Sequence, residues 1–390
     1  MNKTAKRTLW LALALVALGA AVLAWLATRP THAQRGSVAE LRDLCLRAYE
    51  GDTNAVLTLQ ARGSNAVPGL TVLLQARDSW WRETIWAWLP KLPLRWSVRI
   101  AQRVGPPTAT RTREAAARGL GLLGTNAVPA ASELARALRQ SEGRIRQEAT
   151  LALARIGPAA VPYLTDALRD ALPQVRQAAA FALGEIGPPA RGAVPLLAQR
   201  LGDGDEWVRR TCAATLARVG LDGLQALIEA ANRPFDPARE TAQKLLDEPF
   251  LPTGGAELEL QKMATDADAA VRRRAVETLA AVRALQPTAL SVAYAALKDP
   301  DAPVRVAAIE CLGKLGPDVR GAAPVLQELL RDPAPTVRAR AAWALGRIAS
   351  DDETVRQSLT EALQDADVHV RDAARQALRS KPGRDGPVFP

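Results

Sequence analysis

An arginine returns along this 390-residue chain at intervals of 30 or 33 residues, nine times in all. Each of these arginines is followed by a small residue three positions later and by a leucine seven positions later. The recurring arginines are Arg113, Arg146, Arg176, Arg209, Arg239, Arg272, Arg305, Arg338 and Arg371. A register with a period of roughly 20 to 50 residues is typical of solenoids, in which each repeat buries its apolar face against the next. The sequence therefore predicts a stack of similar slices instead of one globular core.

The segment Asp299–Arg331 shows what one repeat contains. Apolar or small residues lie one before, and three, four, seven and eight after Arg305, which is the period of a helix with one buried face. Gly316 predicts the end of this helix in a left-handed backbone conformation. Pro324 is placed to open a second helix, because its missing N–H costs nothing in a first turn. One repeat is therefore two short helices joined by a tight turn.

An aspartate stands six residues before the recurring arginine in six of the nine copies. These pairs are Asp170 and Arg176, Asp203 and Arg209, Asp266 and Arg272, Asp299 and Arg305, Asp332 and Arg338, and Asp365 and Arg371. An aspartate in the turn before a helix can accept backbone N–H bonds, and in a stack it can also meet an arginine of the adjacent repeat. The pattern predicts a structural ladder between repeats. The functional alternative is a row of arginines that binds phosphates.

The frame Asp–x4–Val–Arg–x2–Ala–x3–Leu–Gly–x2–Gly with a proline-led second helix resembles the HEAT repeat, especially its short bacterial type. The resemblance covers roughly residues 63–380. It implies an all-α, right-handed α-solenoid of about ten two-helix repeats. It implies less about function, since HEAT repeats occur in scaffolds, adaptors and lyases.

Some copies depart from the frame. Arg82, 31 residues before the first of the nine arginines, predicts a further repeat helix with prolines in place of the glycine turn. Ser64–Leu70 matches Thr125–Ala131, which indicates the second helix of a preceding repeat whose first helix lies near 37–50. The copy at Arg239 lacks the glycine stop, and we expect a local change of curvature there.

The segment 9–27 is nineteen uncharged, mostly apolar residues preceded by Lys3, Lys6 and Arg7. Its length spans a bilayer and predicts a signal anchor in residues 1–36, followed by the solenoid in 37–380 and a disordered tail in 381–390. The positive-inside bias places the solenoid on the periplasmic side of a bacterial-type inner membrane. The alternative is cleavage of a signal peptide, which would leave a periplasmic or secreted protein.

The net charge of +10 is concentrated at the N-terminus. Residues 1–36 contribute +5 and the tail contributes +1, so the solenoid carries only +4. That is little for a surface that follows a phosphate backbone, and we expect no nucleic-acid partner. The second-helix residues expected to line an inner groove are of mixed sign: Glu133 and Arg136, Asp166 and Arg169, Glu328 and Arg331.

Residues with catalytic or ligand chemistry are sparse. There are two histidines and three well-separated cysteines, and no metal spacing or nucleophile–base set is visible. The segment 119–124 fits the pattern GxGxxG, but it lies in a repeat helix and not after a strand, so its glycines indicate close packing. We therefore predict no cofactor, no metal and no small-molecule ligand.

Five of the nine tryptophans lie between 80 and 96. Trp80 and Trp88 fall outside the core register, and Trp207 shares the register of Trp80. They are interpreted either as bulky packing in a divergent repeat or as exposed anchors for a partner or a membrane surface. The function predicted is a non-enzymatic, membrane-tethered scaffold that binds a protein or peptide in its groove. The alternative is a lyase-type enzyme or an accessory subunit of an enzyme complex.

Overall fold

The computed structural model describes residues 32–78, 80–91, 94–104, 108–234 and 236–379. Within these ranges every regular element is a helix, and no strand occurs. The chain divides into two compact units, residues 1–160 and 161–390. The predicted membrane segment 9–27 and the predicted tail 381–390 lie outside the described residues. Among the described helices, none combines the length and the apolar character that crossing a bilayer requires.

Unit 1 contains eight described α-helices. They are α1 (His32–Glu50), α2 (Thr53–Arg62), α3 (Val67–Leu74), α4 (Trp80–Trp88), α5 (Leu94–Val104), α6 (Ala109–Leu123), α7 (Ala131–Ala137) and α8 (Gly143–Ile156). The helices α1, α6 and α8 are first helices of repeats, and α1 and α8 pack on opposite sides of α6.

Unit 2 contains fourteen described α-helices. They are α9 (Val161–Ala167), α10 (Pro173–Ile186), α11 (Val194–Gln199), α12 (Glu206–Val219), α13 (Leu221–Asn232), α14 (Pro237–Leu246), α15 (Ala256–Met263), α16 (Ala269–Ala281), α17 (Gln286–Ala296), α18 (Ala302–Leu315), α19 (Ala323–Leu329), α20 (Pro335–Ile348), α21 (Glu353–Ala362) and α22 (Val368–Arg379). First helices stack on the next first helix, as in α18, α20 and α22. The predicted all-α repeat fold is confirmed in both units, and ten first helices lie in the described part of the chain.

Both ends of α18 show the start and stop features that the sequence predicts for a repeat helix. At its start Asp301 has an extended backbone, and its carboxylate accepts the N–H of Val304 at 3.3 Å. At its end Gly316 has φ 67° and ψ −143°. The positive φ was expected, but this ψ lies outside the left-handed helical region and belongs to a conformation that only glycine adopts readily. Pro324 is the second residue of the following helix, α19, as the sequence predicts.

Small residues allow the stacked helices to approach closely. A Cβ on Gly121 of α6 would lie 3.2 Å from the Cα of Ala152 of α8, and a Cβ on Gly119 would lie 3.1 Å from the Sγ of Cys45. In unit 2 a Cβ on Gly346 would lie 2.6 Å from the Cβ of Ala377. Gly119 and Gly121 of the GxGxxG segment are therefore packing positions, because a larger side chain would separate the helices, and Gly124 ends α6 with φ 54°.

The prediction of a stacked repeat helix at Arg82 is wrong. The first helix α1 packs directly on α6, with Arg42 donating to the Thr108 hydroxyl at 2.9 Å. Asp78 accepts the N–H groups of Thr108 and Ala109 at 3.3 and 2.8 Å, so the chain leaves the repeat at Asp78 and returns at Thr108. The 29 residues between them, with α4 and α5, are an insertion in a turn.

Removal of that insertion restores the repeat frame. Asp78 followed by Thr108–Thr112 and Arg113 gives an aspartate, five residues and an arginine. The second N–H after the aspartate, that of Ala109, reaches its carboxylate at 2.8 Å. The equivalent N–H in unit 2, that of Ala334, reaches Asp332 at the same distance. The prolines that follow α4 were therefore a sign of inserted sequence and not of an unusual repeat turn.

The hairpin of α14 and α15 is the irregular repeat of unit 2. Asp247 follows α14 with φ −81° and ψ −5°, whereas α6, α8, α10, α12 and α18 end at a glycine with positive φ. The helix packs chiefly against α13 and makes a smaller contact with α12 than regular first helices make with one another. The expected change of curvature at this repeat stays a prediction.

Candidate functional site

The recurring arginine joins two successive turns of the stack. The Nε and Nη2 atoms of Arg305 donate to the two carboxylate oxygens of Asp332 in the next repeat, both at 2.9 Å. Its Nη1 donates to the backbone carbonyl of Asp299 in its own repeat at 2.8 Å. The side chains of Arg305 and Asp332 are only 11% and 6% exposed. This two-pronged geometry is the strong form of a charge-assisted hydrogen bond.

Four such rungs are present among the described residues of unit 2, with nitrogen–oxygen distances of 2.6 to 2.9 Å. They join Arg176 to Asp203, Arg272 to Asp299, Arg305 to Asp332, and Arg338 to Asp365. These guanidinium groups are occupied by internal carboxylates, which favours the structural ladder over a phosphate-binding row.

The rungs hold the aspartates in their charged form. Hydrogen bonds from Arg272 and Arg338 are the main reason that the pKa values of Asp299 and Asp365 lie below their usual range. Burial raises the pKa of Asp203, but the bonds that it accepts from Arg176 and from the N–H of Asp205 bring the net value below normal.

Other predicted ladder residues lie at the correct turns and bond to the backbone there. Arg371 donates to the carbonyl of Asp365 at 2.7 Å. Asp170 accepts the N–H of Leu172 at 2.9 Å, and its carbonyl accepts Arg176 at 3.0 Å. Arg209 and Asp266 flank the irregular hairpin, and the structure joins neither to a rung partner.

Unit 1 contains a modified rung. Gln140 occupies the ladder position and accepts from Nη1 of Arg113 at 2.9 Å, while Glu142 accepts from Nη2 at 2.9 Å. The Nε of Arg113 is buried without a partner among the described residues. A glutamine offers one acceptor oxygen where an aspartate offers two, so one donor is left unsatisfied.

Two of the second-helix pairs predicted for the groove share one register, since Asp166 and Glu328 are each the sixth residue of a seven-residue helix, whereas Glu133 is the third residue of α7. Glu133 accepts from Arg136 at 2.5 Å, and Asp166 accepts from Arg169 at 3.3 Å. The two residues of each pair lie three apart, and Arg136 and Arg169 are well exposed. Glu133 lies in the first turn of α7, whereas Asp166 and Glu328 lie near the ends of α9 and α19. Each pair places an acidic and a basic residue on the surface of its second helix or just beyond it.

Two of the three pairs border cavities. In unit 1, Glu133 and Arg136 line a cavity of about 640 Å³ together with Gln75 and Gln140. In unit 2, Glu328 and Arg331 line one of about 310 Å³, which Glu361 and Ser358 complete. Arg331 lies 3.8 Å from Glu361 of the next second helix.

The tryptophans differ in what the structure describes. Trp88 is 58% exposed, and the Nζ of Lys91 lies 4.5 Å from its ring centroid. Trp207 is 64% exposed, with the guanidinium carbon of Arg210 5.6 Å from its ring centroid. The side chain of Trp80 lies outside the described part of the structure. Trp88 and Trp207 are therefore surface aromatic groups beside a cation, and not core packing.

The family comparison agrees with this geometry. The HEAT-repeat family model matches residues 161–247, 256–320 and 294–379, which together exceed half of the chain. The chain is a HEAT-repeat protein. A model of the PBS lyase HEAT-like repeat also matches residues 145–170.

Solved structures with a similar fold include engineered and natural chains. An engineered protein is 20% identical, with 90% of this chain and 96% of that chain covered and a TM-score of 0.34. Human deoxyhypusine hydroxylase in complex with glycerol is 23% identical, with 66% and 96% covered and a TM-score of 0.27. A chain from a Kap95p–RanGDP structure is 15% identical, with 70% and 43% covered and a TM-score of 0.32. At these TM-scores no argument rests on the likenesses. No curated protein matches this HEAT-repeat chain by sequence.

The cysteines of this HEAT-repeat protein are buried thiols. Burial raises the pKa of Cys45 and of Cys212 to about 12 and that of Cys311 to about 11, so they stay protonated at neutral pH. Within the described ranges no group of three or more histidine, cysteine or acidic side chains is arranged to hold a metal ion.

Two important residues were missed by the sequence reading. Asp78 anchors both ends of the insertion, and its signal was the aspartate frame that reappears once 79–107 is removed. Arg233 stands six residues before Arg239, where other HEAT repeats carry the ladder aspartate. Its signal was the reversal of charge at that position.

Proposed function

We propose that this HEAT-repeat protein is a non-enzymatic, membrane-tethered scaffold that binds a protein or peptide partner along the ends of its second helices. One observation carries the proposal: in both units an acidic and a basic residue three positions apart, with the arginine exposed, lie on or just beyond a second helix and border a cavity. HEAT repeats are suited to such binding because a stack presents many similar sites side by side.

Mixed charge at these sites favours polypeptide over nucleic acid. Glu133 and Arg136, like Glu328 and Arg331, offer an acceptor and a donor within one helical turn. A polypeptide carries both kinds of group, whereas a phosphate backbone requires clustered cations. Extended complementarity over several repeats would then give specificity.

The tether is the segment 9–27, whose length and apolar character support a single membrane span. In the sequence, the segment lies directly before the residues of the first HEAT repeat, whose helix α1 is described from His32. This arrangement holds unit 1 close to the membrane, on the periplasmic side by the positive-inside bias.

The insertion 79–107 is a second candidate contact. It holds Arg82, Lys91, Arg95, Arg99 and Arg103 against the single acid Glu83, and five tryptophans. Inserted loops in repeat proteins often lie on the binding face. The exposed ring of Trp88 beside Lys91 supports this role.

Site-directed photocrosslinking tests the proposed binding face. A photoreactive amino acid replaces Arg169 or Arg331 in the full chain, and a control replaces Arg273 on the first helix α16. The proposal expects protein adducts in membranes from the first two positions and few from the control. Equal labelling at all three positions, or no adduct from either second-helix position, would contradict it.

Two further measurements separate the tether from the scaffold. Alkaline carbonate should leave the full chain in the membrane pellet and release a variant that lacks 9–27. A mature chain that begins near Gln34 and is released with the wild type would show cleavage instead. Affinity capture from solubilised membranes with Trp80 and Trp88 both changed to alanine tests the insertion, and retention of every partner would remove its role.

A further inference from the structure

One rung of the ladder in unit 2 has lost its acceptor. The backbone N–H of Asp332 bonds to the carbonyl three residues earlier at 3.2 Å, and that of Arg233 does the same at 3.3 Å. The backbone of Arg233 is extended, with φ −75° and ψ 118°. The ladder aspartate Asp203 is also extended, with φ −60° and ψ 147°. Arg233 therefore stands where the carboxylate that would pair with Arg209 belongs.

Arg209 keeps only half of the usual bonds of a rung arginine. Its Nη1 donates to the carbonyls of Asp203 and Gly204 at 2.8 and 3.3 Å, which fixes the guanidinium as in the complete rungs. Its Nε and Nη2 bond to no atom of the described residues, and no described carboxylate lies within salt-bridge distance. Arg233 turns away and lies 3.8 Å from Asp236.

The open side of Arg209 faces a cavity of about 840 Å³ between α12 and α14. Arg210 and Lys244 also line this cavity, as do Glu240 and Glu248. Glu240 is held by Lys244 at 2.6 Å, and Glu206 lies 3.9 Å from Arg210. Hydrogen bonding and charge from Lys244 are the main reason that the pKa of Glu240 lies below its usual range, and the charge of Arg209 contributes to that lowering. The guanidinium of Arg209 nevertheless forms no salt bridge with a carboxylate of the described residues.

An exposed aromatic ring borders the same place. Trp207 is 64% exposed, and Arg210, which lines the cavity, lies against its ring. An exposed tryptophan at the first turn of α12, two residues before Arg209, brings together the two residue types most enriched where proteins bind partners.

We propose that the cavity at Arg209 binds an aspartate or glutamate side chain of a partner peptide, which completes the missing rung from outside. The peptide carboxylate accepts from Nε and Nη2 of Arg209, as Asp332 accepts from Arg305 in the regular repeat. An apolar residue of the same peptide packs on Trp207. This inference rests on the proposed protein-binding function but uses a different face of the HEAT stack, so each fails independently.

Peptide selection on the full chain in detergent micelles tests the site. A random heptapeptide library is selected on the wild type, and each enriched peptide is compared with its copy in which asparagine or glutamine replaces the acid. We expect a fixed acidic position with an apolar neighbour. Removal of the acid, or Arg209→Gln, should weaken binding by roughly tenfold or more, since hydrogen bonds to charged groups contribute at that level.

Arg233→Asp gives the sharpest variant, because it returns an internal carboxylate to the rung and should close the site. Arg273→Asp makes the same change of charge on the exposed face of α16 and should leave binding unchanged. Arg209→Lys keeps the charge without the planar fork and should bind several-fold more weakly.

Melting by circular dichroism shows that each variant is folded. The proposal is overturned if no peptide is enriched, if enriched peptides lack a fixed acid, or if Arg233→Asp and Arg273→Asp weaken binding equally. Crosslinking at the second-helix ends is unaffected by these outcomes, so a failure here leaves the scaffold proposal standing.

Discussion

The repeat pattern is interrupted twice, once in each unit, and the two interruptions have opposite consequences. At Asp78 in unit 1 the chain gains 29 residues, yet the carboxylate still caps the following helix through Thr108 and Ala109. At Arg233 in unit 2 no insertion of comparable length occurs, but one residue of the wrong charge removes a rung. The stack therefore depends on the carboxylate at the turn more than on the continuity of the chain there.

The physical reason is the difference between a loop and a buried ion. A longer loop costs little, because closure entropy grows only with the logarithm of its length. A rung arginine and aspartate are buried together, and removal of one leaves the other charged and desolvated. Five predictions test this comparison, in order of decreasing effect.

Asp332→Ala should have the largest effect. It leaves Arg305 buried beside an empty acceptor position, and we expect a loss of about 3 to 5 kcal/mol in the free energy of opening of α18 and α20. Hydrogen exchange with mass spectrometry measures this loss. Asp266→Ala is the matched control, since Asp266 accepts only a backbone N–H, and it should cost about 1 kcal/mol. Equal losses would show that a rung stabilises the stack no more than a single hydrogen bond to the backbone does.

Acid should weaken the same rungs together. The pKa values of Asp299 and Asp365 are lowered in the folded protein, so the stabilisation is complete above the unfolded value of about 3.9 and is lost as pH falls through the folded values. The urea midpoint should stay nearly constant from neutral pH to about 5 and fall below about 4. Asp299→Asn should flatten that fall, and an unchanged slope would contradict the argument.

Asp78→Ala should destabilise unit 1 by about 1 to 2 kcal/mol, the usual cost of losing a helix cap. The loss should appear as faster amide exchange in the first turn of α6. Asp52→Ala, which removes the cap of α2, gives the scale for an ordinary cap. A smaller effect at Asp78 than at Asp52 would mean that the insertion is held by other contacts.

Arg233→Asp should stabilise the irregular hairpin by about 1 kcal/mol, because an ion pair with Arg209 replaces the exposed contact of Arg233 with Asp236. Protection of α14 against exchange should rise, while Arg273→Asp should give no gain. If α14 is no better protected, the equivalence of Arg233 with the ladder aspartates is refuted.

Removal of residues 79–107, with Asp78 joined to Thr108, should change the stability of unit 1 by less than about 1 kcal/mol. The melting curve and the exchange of α1 and α6 amides measure this. A large loss would show that α4 and α5 belong to the core of unit 1. The claim that the insertion after Asp78 costs the stack little would then be wrong.

The sequence predicts the repeat well because its signals are local and occur many times. The glycine that ends a regular first helix, the proline that opens the second, and the aspartate before the arginine are each confirmed in the geometry around Gly316, Pro324 and Asp332. Repetition of the same register nine times makes an accidental match improbable.

The candidate sites are harder to predict, because they arise where the register fails. The helical pattern around Arg82 looked like a repeat, and only the direct packing of α1 on α6 shows that it is not one. The unsatisfied Nε of Arg113 follows from a glutamine at position 140, whose effect depends on a partner 27 residues away. Such pairings depend on which repeats stack on each other in three dimensions. Spacing along the chain predicts that stacking only where every repeat is regular.

The turn closed by Asp78 has a practical consequence for protein engineering. The carboxylate of Asp78, before the insertion, bonds to the backbone of Thr108 and Ala109, after it. A carboxylate in this position allows foreign sequence to be inserted in the turn without redesign of the helices around it. The equivalent turns of other repeats, such as the one after Asp332, are ready-made acceptor sites for an epitope or a reporter peptide. Insertions can arise in evolution in the same way, so a repeat stack can acquire new surface elements at its turns without a change in its helices.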